Sequence, residues 1–129
     1  MMKEPLEAVK KFHKAFKLGV AENPKASLGK EKNQLRFELM KEENKEYLEA
    51  AMSNDAVEVA DALGDMLYVL CGTMLEHGMQ DKIEEVFYEI HNSNMSKLDT
   101  SGNPIYREDG KVLKGKNYFR PDIKQFFND

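Results

Sequence analysis

Apolar residues recur along this chain at spacings of three and four, the period of an amphipathic helix, in four successive stretches. The first stretch predicts a helix over about residues 5–18. Leu6, Val9, Phe12 and Phe16 share one stripe, Pro5 suits the first turn, and Gly19 suits the position just past the end. Residues 23–29, with Pro24, Ser27 and Gly29, read as a loop. A second helix is predicted over about 32–52. In it Leu39, Glu43, Glu46 and Ala50 fall at i, i+4, i+7 and i+11 on one inward stripe, which Leu35 extends a turn earlier. Ser53, Asn54 and Asp55 break the pattern, and either Asn54 or Asp55 suits the cap of a third helix that stops at Gly78. Asp81 followed by Glu84 has the form of a capping box for a fourth helix, which carries Ile83, Val86, Phe87 and Ile90 and ends near Lys97.

After Leu98 the pattern changes. Residues 99–104 are a turn cluster, and Ile105 to Arg107 and Val112 to Leu113 flank Asp109-Gly110, a hairpin signal. The tail from Gly115 is irregular, with Tyr118, Phe119, Phe126 and Phe127 as aromatic anchors. The expected fold is therefore all-α: a bundle of four to five helices with a short C-terminal β-hairpin. It forms one domain over residues 1–129, with a helical core at about 5–98.

Composition narrows the function. A formal net charge of -4 argues against wrapping a nucleic-acid polymer. The single cysteine, Cys71, excludes an internal disulfide, fits a reducing compartment and sits in an apolar run as a packing residue. The first fourteen residues hold no apolar core of signal-peptide length, and the longest apolar run, Met66 to Leu75, is too short to span a bilayer. A cytoplasmic protein that does not enter membranes is expected.

The acids carry the chemistry. Between Lys45 and Lys82 there is no lysine or arginine, yet Glu46, Glu49, Asp55, Glu58, Asp61, Asp65, Glu76 and Asp81 all lie there. Glu43 and Glu46 interrupt the apolar stripe of the second helix, with Glu42 at its edge. Glu58, Asp61 and Asp65 occupy a narrow arc of a third helix that is otherwise apolar on most sides. On an exposed face, like charges a turn apart cost only about 0.2–0.5 kcal/mol per pair, so Glu38, Glu49, Glu84 and Glu85 read as solvated. Buried carboxylates without a cation cost several kcal/mol each, and a bound divalent cation is the natural compensation. The donors are all oxygen, which suits Mg²⁺ or Mn²⁺ rather than zinc. A diiron bundle is disfavoured, because none of His13, His77 and His91 follows a glutamate at i-3. His13 and His77 are expected on the surface, and His91 as a structural histidine.

Glu43-Asn44-Lys45-Glu46 followed by Glu58-Val59-Ala60-Asp61 resembles the paired ExxE and ExxD motifs of the all-α nucleotide pyrophosphohydrolases, the superfamily of MazG-like proteins, phosphoribosyl-ATP pyrophosphohydrolase and the dimeric dUTPases. Asn92 to Leu98 and Gly110 to Gly115 resemble its phosphoribosyl-ATP pyrophosphohydrolase-like subgroup. Many MazG-like proteins carry the second aspartate just after a glycine, which here is Asp65. Read that way, the residue three before it is Ala62, so Glu58 and Asp61 are the favoured pair and Asp65 an auxiliary ligand.

The resemblance implies cleavage of a nucleoside triphosphate between its α and β phosphates, and a homodimer or homotetramer. On that reading Glu43, Glu46, Glu58, Asp61 and Asp65 hold the metal, Glu42 and Glu46 are the catalytic pair, and Glu42 is either a further ligand or the base that orients the attacking water. Asn94, Lys97, Lys111 and Lys114 are the candidate phosphate-binding groups, against plain solubility for the lysines and helix capping for Asn94. The rival from another class is a non-enzymatic helical oligomerisation or regulatory module that binds a cation. Neither base nor sugar is legible.

Overall fold

The structure, a computed structural model, describes residues 2–127. It contains α1 (Lys3–Ala15), α2 (Lys30–Met52), α3 (Ala56–Glu76), α4 (Ile83–Met95) and a 3-10 helix, Ile123–Phe127. The chain divides into two compact units, one reaching to Asp81 and the other starting at Lys82. No helix among the described residues is long and apolar enough to cross a membrane.

In the first unit α3 packs against both α1 and α2. Leu6 and Val9 of α1 and Ala62, Cys71 and Leu75 of α3 are buried, with Leu75 and Cys71 fully enclosed. Burial pushes the Cys71 thiol up, so it stays protonated and unreactive. The expected stripe of α1 holds at Leu6 and Val9, but its next buried residue is His13, not Phe16. The helix stops at Ala15 because Lys17 takes a left-handed conformation with φ 59, and Leu18 N donates to His13 O at 2.7 Å. Lys17 thus does what Gly19 was expected to do, and Phe16, past the last turn, swings out to 69% exposure. Leu35 is likewise not inward: it is half exposed, and Arg36 takes the buried position.

The link between α2 and α3 is tightly built. Asn54 adopts φ 55, and Asn54 N and Asp55 N donate back to Ala51 O and Ala50 O at 3.1 and 3.2 Å, closing the end of α2. Asp55 then accepts from Glu58 N at 3.1 Å and caps α3. Three residues reverse the chain, so α2 and α3 run antiparallel and their acids are brought face to face. At its far end α3 is stopped by Gly78, whose φ of 70 and contact with the Asn23 carbonyl leave no room for a side chain.

In the second unit α4 packs against the 3-10 helix. The expected capping box is absent: Lys82 holds the cap position of α4, without a side-chain cap bond, and Asp81 lies one residue too early to serve. The tail is tied to α4 through side chains. Buried Ser93 Oγ donates to Phe119 O at 2.8 Å, Ser96 Oγ accepts from Phe119 N at 3.1 Å, and Glu89 accepts from Asp122 N at 2.8 Å. Lys82 Nζ donates to Phe126 O at 2.6 Å.

The expected C-terminal hairpin does not form. No strand occurs among the described residues; the segment reduces to one antiparallel bridge between Tyr106 and Val112. The arms are two or three residues long and have no third strand to pair with, which leaves such a ribbon without a stabilising face. What remains is a local turn. Asp109 accepts from Arg107 Nε at 2.9 Å and from Lys111 N at 3.1 Å, and the Arg107 guanidinium holds its carboxyl below the usual range.

Candidate metal centre

Glu43 and Glu46 project from α2 one turn apart, and Asp65 projects from the facing turn of α3. One carboxylate oxygen from each lies within 4.8 Å of the others. Three negative groups at such spacing repel strongly. Accordingly the Glu43 carboxyl is pushed up from 4.5 to about 7, first by burial, then by its hydrogen bond to Glu46 and the charges of Glu46, Asp65 and Glu42. Glu43 Oε2 is buried and has no hydrogen-bond partner. A buried acceptor without a donor is rare in folded proteins, and at this atom, beside two further carboxylates, a cation would satisfy it. The donor set, all carboxylate oxygen, fits a hard divalent ion such as Mg²⁺ or Mn²⁺.

Beside this cluster lies a cleft of ≈ 470 Å³, walled by Glu46, Glu49, Asp55, Glu58 and Asp61. Glu46 is common to both. The structure therefore gathers Glu43, Glu46 and Asp65 at one point and sets Glu58 and Asp61, both exposed, along the cleft wall with Glu46. Glu42 is exposed on α2, near enough to raise the Glu43 carboxyl. Glu49 is exposed and Asp55 caps α3, as expected of each, but both also wall the cleft: Glu46, Glu49 and Ser53 at i, i+3 and i+7 form a stripe that leads into it.

The second unit holds Asn94, Lys97, Lys111 and Lys114. Asn94 is exposed and its carbonyl accepts from Lys97 N at 3.1 Å; the Lys97 carbonyl accepts from Gly115 N at 2.9 Å. Lys111 is exposed on the turn, and Lys114 Nζ lies 4.8 Å from the centre of the Tyr118 ring.

The largest departure from expectation is a buried polar cluster along α2 and α3. Glu76 does have local cations: Arg36 Nη1 at 3.1 Å and Lys32 Nζ at 3.3 Å, with the Arg36 and Glu76 side chains only 8% and 7% exposed. His13, expected at the surface, is buried, with Nδ1 on the Gly19 carbonyl at 2.9 Å and Nε2 near Gly72. His77 is half-buried, with Nδ1 2.9 Å from the Lys25 carbonyl. His91, expected as structural, is exposed.

No curated protein matches the chain. The family model for phosphoribosyl-ATP pyrophosphohydrolase matches residues 9–94, more than half of the sequence and all of the acidic centre. With those residues on the helices that carry Glu43, Glu46 and Asp65, the chain belongs to the phosphoribosyl-ATP pyrophosphohydrolase family, within the MazG-like all-α pyrophosphohydrolases.

Proposed function

We propose that this pyrophosphohydrolase is a Mg²⁺-dependent enzyme, with Mn²⁺ able to substitute, that cleaves a nucleoside triphosphate between its α and β phosphates to give the monophosphate and pyrophosphate. The observation that carries the reading is the convergence of Glu43, Glu46 and Asp65 around a buried, partnerless oxygen in a chain of this family. A bound divalent cation supplies neutralisation of phosphate charge and lowers the pKa of a water. Glu43, Glu46 and Asp65 hold it, and Glu58 and Asp61 extend the carboxylate set along the cleft. Glu42 orients the attacking water and takes its proton. An acidic cleft repels a polyphosphate unless cations intervene, so affinity for nucleotide requires metal. Asn94, Lys97, Lys111 and Lys114 contribute donors to the phosphates. The enzyme works in the cytoplasm as a homodimer or homotetramer.

The test is pyrophosphate release from a panel of nucleoside triphosphates, including dUTP, dCTP and oxidised purines, with Mg²⁺ or Mn²⁺ and with EDTA. Metal-dependent release with the monophosphate as co-product is expected, falling at least about a hundredfold in Glu46→Ala with the helical content retained. Silence across the panel from protein that binds Mn²⁺ would point either to a phosphoribosylated or otherwise unusual nucleotide as substrate or to a cation-binding module.

A further inference from the structure

The centre depends on two helices meeting in one register, and Arg36 is placed to set it. It stands seven residues before Glu43 on the same face of α2, two turns or about 10.5 Å away. Its guanidinium meets α3 on three sides: Nε donates to Thr73 Oγ1 at 3.0 Å, Nη2 to Val69 O at 2.9 Å, and Nη1 pairs with Glu76 Oε2 at 3.1 Å. Asp65, Val69, Thr73 and Glu76 fall at i, i+4, i+8 and i+11, a single stripe of α3. The same two stripes that bring Glu43 to Asp65 are thus locked by Arg36 further along.

The lock is closely fitted. A Cβ on Gly72 would lie 2.8 Å from Arg36 Nη2, so α3 is bare where the guanidinium rests. Thr73 Oγ1 in turn donates to Val69 O at 2.9 Å, and Lys32 Nζ holds the other Glu76 oxygen at 3.3 Å. A planar fork with fixed donors cannot slide by a turn without losing its partners, whereas apolar contacts between helices tolerate small shifts. The need for a lock is evident at the other end: three carboxylates within 4.8 Å push α2 and α3 apart wherever no cation sits between them.

We infer that Arg36 is a positioning residue for the metal centre, its three-sided clamp on Val69, Thr73 and Glu76 holding Glu43 and Glu46 in register with Asp65. This rests on the metal-dependent reading above. The experiment is Mn²⁺ binding by calorimetry, paired with thermal unfolding and with kcat measured across Mn²⁺ concentration. It compares wild type, Arg36→Lys, Thr73→Val and the control Leu6→Ala, which loosens the core away from the clamp. Arg36→Lys keeps the charge beside Glu76 but not the fork; Thr73→Val removes one partner and serves where Arg36→Lys does not fold. The expected result is Mn²⁺ affinity weakened about tenfold or more in both clamp variants, with kcat restored at saturating Mn²⁺. Leu6→Ala should lose thermal stability yet bind Mn²⁺ as wild type does. Clamp variants that bind Mn²⁺ like wild type, or no worse than an equally destabilised Leu6→Ala, overturn the inference alone. A wild-type chain that binds no Mn²⁺ overturns the metal reading and the inference together.

Discussion

The Glu43 carboxyl holds its proton up to about 7, well above its ordinary 4.5, because burial and then its acidic neighbours disfavour the charge. The folded chain therefore binds more protons than the unfolded one between those values, and stability falls as pH rises through that window. A cation that takes the site must displace that proton. Mn²⁺ affinity is expected to rise by up to about tenfold per pH unit below neutrality and to level off above it. Calorimetric titrations from about pH 5.5 to 8, in buffers of differing protonation enthalpy, check both the slope and the proton release; a flat profile contradicts it. Glu43→Gln removes the strained charge, so the metal-free protein should gain roughly 1 kcal/mol at alkaline pH while losing Mn²⁺ binding, as read by thermal unfolding with and without the ion. At this scale the alignment of the acids was legible, because helical spacing is a local property, but their burial was not: Glu43 is half-buried, whereas Glu46, Glu58 and Asp61, expected inward, are exposed. Nor was the burial of His13, since nothing local distinguishes a surface histidine from one whose Nδ1 meets a carbonyl six residues on.

Helix ends decide how these acids are presented. Lys17 and Asn54 close α1 and α2 in the left-handed region, which disfavours a side chain with a Cβ, while Gly78 closes α3 at no such cost. Lys17→Gly should accordingly stabilise the fold by up to about 1 kcal/mol in chemical denaturation. Gly78→Ala should cost more than about 1 kcal/mol, since it combines positive φ with a clash against the Asn23 carbonyl. An unchanged midpoint for the alanine variant would contradict the close approach. Gly78 was readable as a stop because glycine is the usual residue there. Lys17 was not, because the chain bends before reaching the glycine that composition suggested. The hairpin misled for a related reason: Asp109-Gly110 does specify a turn, but a turn becomes a ribbon only when its arms have something to pair with or pack on.

Over the whole molecule, α3 carries a second apolar stripe. Leu63, Leu67 and Leu70 at i, i+4 and i+7 remain 49%, 46% and 43% exposed. Covering a fully exposed leucine gains about 1.5–3 kcal/mol, so covering these half-exposed ones gains roughly half as much each, and a stripe of three favours association. Sedimentation is expected to give a multiple of the monomer mass, and Leu67→Glu to shift it toward the monomer; a wild-type monomer at micromolar concentration would contradict the homo-oligomer. The sequence alone determined the four helices, their approximate limits and the spacing that lines acids up along one face of each of two of them, since all of these follow from a 3.6-residue period read along one strand of chain. It did not determine their burial, for Glu46, Glu58 and Asp61 are exposed. Only the tertiary structure decided that Asp65 is the acid that meets Glu43 and Glu46, that Asp61 stands along the cleft, and that Arg36 answers Glu76. Those pairings depend on the axial register between two helices. A slip of one turn leaves each helix's own pattern intact while changing every partner across the interface, so only packing selects among them.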